Sequence, residues 1–152
     1  MKNYTFDELL HKAASYCSIS EHCISEVEAK LATWNVSDGD KRRIIARLQK
    51  DGFIDELRFC NAFVKDKFRF NKWGKIKISA ALKAKGVSGD LIDDAFSQID
   101  EDEYEKTLIS ILKTKAVALS YQSEYEKKGK LLRFAQSRGF EISVTEKAIR
   151  RI

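Results

Sequence analysis

The sequence predicts an all-α fold, and three observations carry that expectation. Proline is absent from all 152 residues. A sandwich or barrel with many turns uses proline at turn positions, whereas helix interiors exclude it. Alanine, leucine, lysine and glutamate, which are among the better helix formers, dominate long stretches. Apolar residues recur at the three- and four-residue spacing of one helix face. Hydrophobic residues make up 43% of the chain, enough to bury a core, while the charged 34% exceeds the roughly 25% of an average globular chain. Some faces must therefore be heavily solvated.

Caps and glycines predict about nine short helices. Thr5-Phe6-Asp7-Glu8 has the form of a capping box, and Phe6, Leu9, Leu10, Ala13 and Ala14 give the first helix its apolar face. A second helix is expected from near Ser20, with Ile24, Val27, Leu31 and Trp34 inward. Ser37 caps a third, which carries Ile44, Ile45 and Leu48 and ends at Gly52. The fourth runs from about Asp55 with Phe59, Phe63, Val64 and Phe68. The fifth carries Ile76, Ile78, Ala81 and Leu82 and stops at Gly86. Ser88 opens a sixth with Leu91, Ile92, Ala95 and Phe96. The acids Asp100 to Glu103 open a seventh, which takes in Leu108, Ile111, Leu112 and Leu119. An eighth holds Leu131, Leu132, Phe134 and Ala135 and stops at Gly139, and a ninth holds Val144, Ala148 and Ile149.

These helices fall into three groups of three, with boundaries expected at 1–54, 55–100 and 101–152. The echo is sharpest where each middle helix ends: residues 31–37 align with 82–88 and with 135–141. Asn35, Gly86 and Gly139 then share one role, a left-handed residue that closes a helix. Ser37 and Ser88 follow as caps for the next helix; Glu141 stands where the third serine should be, which makes Ser143 the candidate third cap. A unit of about fifty residues buries little core alone, so the units are expected to stack into an elongated, curved array.

Nothing in the chain nominates an enzyme. There is no strand followed by a glycine-rich phosphate loop, and no base or orienting group is placed beside a cysteine nucleophile. His22, Cys23 and Cys17 match no zinc spacing. Cys17, Cys23 and Cys60 are odd in number and form no disulfide framework, so they read as free thiols in a reducing compartment. No cofactor or metal is expected. The N-terminus carries early acids and no apolar signal core, no run approaches the roughly 20 residues of a membrane span, and a cytoplasmic location follows as the expectation. No long heptad seam appears, so a monomer is expected.

The net charge is +5, with a pI near 9.0, which suits a polyanionic partner. Between positions 65 and 85, eight cations (Lys65, Lys67, Arg69, Lys72, Lys75, Lys77, Lys83 and Lys85) face one acid, Asp66. Phe68, Phe70 and Trp73 are interleaved. Cations with aromatics on one surface suit phosphate contacts with base stacking, or an acidic protein groove. A lysine-rich solvated face over core aromatics is the other reading, and Trp73 alone reads as core packing. Phe68 and Phe70 cannot both enter the core from one regular helix, so one must be exposed or end the helix. A second basic cluster holds Lys127, Lys128, Lys130, Arg133 and Arg138, with Tyr121 and Tyr125 a turn or two earlier. A third, Lys41-Arg42-Arg43 with Arg47, follows Asp38 and Asp40 and reads as a solvated face.

The segment Gly52-Phe53-Ile54-Asp55-Glu56-Leu57-Arg58-Phe59 resembles the RecX family, in which a helix ends in glycine, an apolar pair and an acid. The likeness continues through Phe63 to Gly74 and through Lys75 to Val87, is strongest over 52–96, and extends more loosely through the repeat. Two stretches depart from the family's pattern: residues 17–22, which lack the usual basic start to the second helix, and residues 119–125. The resemblance implies tandem three-helix units lodged in the groove of a RecA filament on DNA. It further implies a non-enzymatic restraint on filament growth, ATP hydrolysis and strand exchange in DNA repair and recombination. The contact residues expected on that reading are Lys65, Arg69, Phe70, Lys72, Trp73, Lys75, Lys77, Lys83, Lys85, Lys128, Lys130 and Arg133, with single- or double-stranded DNA as a weak, non-specific partner. A direct, non-specific DNA-binding protein built from helix-turn-helix-like units is the alternative.

Overall fold

A computed structural model describes residues 3–152; Met1 and Lys2, which open the expected first unit, lie outside the described residues. Among the described residues nine helices are present: α1 (Phe6–Ile19), α2 (Ile24–Thr33), α3 (Asp38–Lys50), α4 (Glu56–Arg69), α5 (Lys75–Ala84), α6 (Gly89–Phe96), α7 (Glu101–Ala118), α8 (Glu124–Ser137) and α9 (Ile142–Ile149). They form three successive groups: α1 to α3 pack on one another, as do α4 to α6 and α7 to α9.

One backbone device closes the middle helix of every group. Asn35, Gly86 and Gly139 take φ of 58°, 81° and 91°. The amide after each donates five residues back: Val36 to Leu31, Val87 to Leu82 and Phe140 to Ala135. The left-handed residue itself donates to the carbonyl three back, completing a Schellman closure. Val36, Val87 and Phe140 are buried just beyond it. The expected caps form where the pattern is regular: Thr5 with Glu8 makes a full capping box, and Ser37 and Ser88 accept from the third residues of α3 and α6.

Four local expectations are corrected. Helix α2 begins at Ile24 behind Cys23 rather than near Ser20, because α1 runs on to Ile19 and Ser20 is spent as its extended C-cap. The third-unit cap is Glu141, not Ser143. Leu119 sits just past α7 with extended backbone. Ile76 is 56% exposed, since Ile78 and Leu82, four apart, define the inward face and Ile76 lies about 200° from Ile78.

The first group has its own core, built on Leu9, Ala13, Val27, Leu31, Ile44 and Leu48. The second and third share one, in which Phe68, Ile78, Leu82, Tyr104, Leu108 and Phe140 meet. That shared core is sealed by a close backbone crossing. Gly74 N–H donates to the Arg138 carbonyl at 2.7 Å, and Ile76 N–H donates to Gly139 at 2.9 Å. A Cβ on Gly74 would fall on the Gly139 carbonyl and within 2.5 Å of Phe140 N; a Cβ on Gly139 would lie 2.6 Å from Lys77 N. The result is drawn out rather than spherical: the chain exposes 9261 Å², against roughly 7,900 Å² for a compact monomer of its mass.

Gly74→Ala is expected to force these backbones apart and to destabilise the chain by about 1–3 kcal/mol. Gly39→Ala, which meets nothing within 4 Å, should stay within about 0.5 kcal/mol. Urea titration of both variants checks the pair; equal midpoints would contradict the crossing.

Candidate functional site

The cations of residues 65–85 do not form one surface. Helix α5 is a strut between the first and third groups, and its lysines divide between fastening it and facing solvent. At its N-terminal end, Lys75 Nζ reaches Glu101 at 2.6 Å and lies 4.7 Å from the centroid of the Tyr104 ring. Tyr104 OH accepts from Lys75 N–H at 3.0 Å and donates to the Glu141 carboxylate. Its ring is fully buried between Phe68 and Phe140, with centroids at 5.7 and 5.1 Å. Burial first, then the hydrogen bond to Glu141, hold the phenol far above its usual range.

At the C-terminal end of the strut, the Lys85 carbonyl accepts from Ser25 Oγ at 2.7 Å, and Lys85 Nζ pairs with Glu26 at 3.0 Å. Glu56 accepts from Ile24 N–H at 2.7 Å, and Arg58 pairs with Glu21 at 2.5 Å. Burial alone would raise Glu26, but hydrogen bonds from Lys85, His22 and the Cys23 amide outweigh it and hold the carboxyl below its ordinary 4.5. Lys85 and Lys75 are thus joints between groups.

Trp73 is half-buried against the shared core, with Lys67 and Lys77 Nζ at 4.9 and 4.6 Å from its ring. Arg69 reaches Glu103 at 3.9 Å. Lys130 is tied to Glu126 at 3.1 Å and to the Ser120 carbonyl at 2.6 Å. The Lys41 to Arg47 cluster is largely self-neutralised, through Lys41 with Asp38, Arg43 with Asp40 and Arg47 with Asp51.

Lys65, Lys72, Lys83, Lys128 and Arg133 stay open, all exposed and without an ion pair among the described residues. Phe68 is buried and Phe70, at the C-cap of α4, is 80% exposed. Lys72 holds φ of 56°, a left-handed conformation normally given to glycine or asparagine, and its Nζ caps the Arg69 carbonyl at 2.6 Å. Lys75 and Lys83 share a groove with Ile76, Ala80 and Phe96, as their eight-residue spacing requires.

Sequence reasoning missed Ser25, Glu26, Glu56 and Tyr104, which act between groups, and Glu141, which holds the Tyr104 hydroxyl within the third. One signal was available: Glu141 breaks the serine pattern because its carboxylate serves Tyr104. Burial, then the Glu56 charge, push the Cys60 thiol up to about 11. Burial also raises Cys17. All three thiols are free and buried. Among the described residues no cluster of three His, Cys, Asp or Glu could hold a metal ion, and no helix is long and apolar enough to cross a membrane.

The fold and its cationic faces define an all-α protein of tandem three-helix units. Residues 55–95 match the family model described as RecX, second three-helix domain. The chain is 28% identical over 137 residues to the Regulatory protein RecX of Lactobacillus johnsonii, covering 90% of this chain and 51% of that protein. It is 30% identical over 91 residues to that of Prosthecochloris aestuarii, covering 60% of each. The crystal structure of RecX from Lactobacillus salivarius superposes with a TM-score of 0.88 at 19% identity, over 96% of this chain and 95% of that one. The crystal structure of a second regulatory protein RecX gives 0.83 at 21%, over 95% and 74%. The chain is similar to the RecX regulatory proteins, and it spans about half to three fifths of the length of these curated relatives.

Because the folded Glu26 carboxyl lies below 4.5, its contribution to stability is present above that pH and is lost as pH falls through the lowered value. Glu26→Gln is therefore expected to flatten the acid limb of urea midpoints measured between about pH 6 and 3. An acid limb as steep as that of the unsubstituted chain would contradict the assignment.

Proposed function

We propose that this chain is a non-enzymatic regulator of recombination, a cytoplasmic monomer that lies in the groove of a RecA filament on DNA and restrains it. Three-helix units at 1–54, 55–100 and 101–152 follow the groove, and Lys65, Phe70, Lys72 and Lys83 make the central contact. The observation that carries this reading is the end of α4. There a large apolar ring stands 80% exposed beside a lysine held in a left-handed conformation. A non-glycine residue there costs about 1 kcal/mol or more, and such cost concentrates where function needs the side chain. Lysines dominate the surface, and no helix concentrates the arginine, asparagine and glutamine that read base edges, which favours a filament over one duplex sequence. The name of the curated relatives, regulatory protein, agrees.

Lys75 and Lys85 are poor test positions because they fasten the groups together; Lys72 is a good one. Lys72→Gly should stabilise the chain by about 1 kcal/mol through relief of backbone strain, while weakening filament inhibition by roughly two- to fivefold, the worth of one exposed charge. The measurement is RecA-dependent ATP hydrolysis on single-stranded DNA with the protein titrated in, and naked-DNA binding in the same salt. Inhibition at concentrations too low to coat the free DNA supports the proposal. Tight binding to bare DNA with unchanged hydrolysis would move the function to non-specific DNA binding.

A further inference from the structure

Helix α8 carries an outward stripe that the fold does not use. Tyr125, Lys128, Gly129, Leu132 and Arg133 fall at three- and four-residue spacing and, with Glu126 and Glu146, line an open groove of about 590 Å³. Tyr125 is 90% exposed, and among the described residues its ring meets no other ring, cation or hydrogen-bond partner. Lys128 and Arg133 have no ion pair. Of the two acids in the groove, Glu126 is paired with Lys130 and also feels the Arg133 charge, and Lys128 has no acid paired to it. Beyond Glu126, α8 holds Lys127, Lys128, Lys130 and Arg133 and no further acid.

The glycine at the centre of this stripe is the telling residue. Mid-helix glycine costs roughly 0.5–1 kcal/mol relative to alanine. Nothing inside the chain asks for it: its backbone is not left-handed, and a Cβ there would meet only Arg133 Nη1 at 3.5 Å, an ordinary contact. Helix backbone without a side chain, between an unpartnered aromatic ring and two cations that form no ion pair, suits a flexible polyanion with flat apolar groups, brought in close.

We propose that this groove is a subsite for single-stranded nucleic acid. One base stacks on Tyr125, Lys128 and Arg133 take adjacent phosphates, and the sugar-phosphate backbone passes over Gly129. A duplex keeps its base faces stacked inside and cannot use the Tyr125 ring. The biological setting rests on the regulator reading above; the binding itself does not.

The test uses the full chain and a fluorescein-labelled mixed-sequence single strand, with anisotropy read at fixed salt. Tyr125→Ala should weaken binding about five- to a hundredfold, the range of one base-aromatic stack, while Tyr125→Phe keeps it. Gly129→Leu should weaken binding while raising the thermal midpoint, a combination that unfolding cannot produce. Three results would overturn the subsite: no strand binding by the unsubstituted chain, equal binding by Tyr125→Ala, or displacement by polyglutamate as effective as by unlabelled strand. RecA-dependent ATP hydrolysis is scored in parallel. Absence of inhibition there with strand binding intact sinks the regulator reading and leaves this one standing.

Discussion

The crossing of Gly74 with Gly139 is the constraint from which the rest of the array follows. Two backbones that touch without side chains between them admit only one register, and the bonds from Gly74 and Ile76 to the 138–139 carbonyls lock it. Helix α5 therefore starts at a fixed point on the third group. Tyr104 can then span from the Lys75 amide to Glu141, and its ring fills the gap between Phe68 and Phe140. A fully buried hydroxyl left unpartnered costs about 1–3 kcal/mol, so the tyrosine is tolerable there only because both partners are in place. From that anchored end α5 runs across to the first group and delivers Lys85 to Glu26 and Ser25.

Most of the fold was legible in the sequence because it is written in local rules. Helix spacing, the serine caps and the left-handed closures at Asn35, Gly86 and Gly139 each involve residues within six positions of one another. What was not legible depends on contacts across tens of residues. Lys75 and Lys85 look like their neighbours Lys72 and Lys83 in any reading of charge and spacing, yet two are joints and two face solvent. Only the placement of Glu101 and Glu26 separates them. Ile76 failed for the opposite reason: its apolar character was read as burial, though helical phase puts it opposite Ile78.

The cationic surface is consequently sparser and more pointed than the count of lysines suggests. Of the twelve positions expected to contact a partner, Arg69, Lys75, Lys85 and Lys130 spend their charge on acids of the same chain, and Lys77 lies over Trp73. The open ones are Lys65, Lys72 and Lys83 on separate faces of the second group, with Lys72 two residues from the exposed Phe70, and Lys128 and Arg133 in the Tyr125 groove on the third. At Phe70 and at Tyr125 a large aromatic ring stands in water beside an unpaired cation, and at each the backbone gives up local stability, through a left-handed lysine in one and a mid-helix glycine in the other. Lys72 recovers one hydrogen bond, to the Arg69 carbonyl, and Gly129 recovers no contact that a side chain would break; local cost that exceeds its internal return is the mark of a position shaped by something outside the chain.

The two joints of the array differ in kind, and the difference bears on how such a strip would follow a groove. Between the second and third groups the contact is apolar and backbone-tight, and their residues belong to one core; sliding them apart would expose Tyr104 and Phe140 together. Between the first and second groups the contact is mostly polar, through Glu21, Glu26, Glu56 and Lys85, with Cys23 as the apolar plug. Polar pairs at partial exposure are individually weak and re-form with water at little cost, whereas apolar surface has no such alternative. The last two groups therefore share one core and carry both open aromatic rings, whereas the first group is joined to them mainly through polar pairs. On the proposed filament reading, the two candidate contact surfaces would keep a fixed spacing and any fit to the partner's curvature would fall to the Glu26–Lys85 joint.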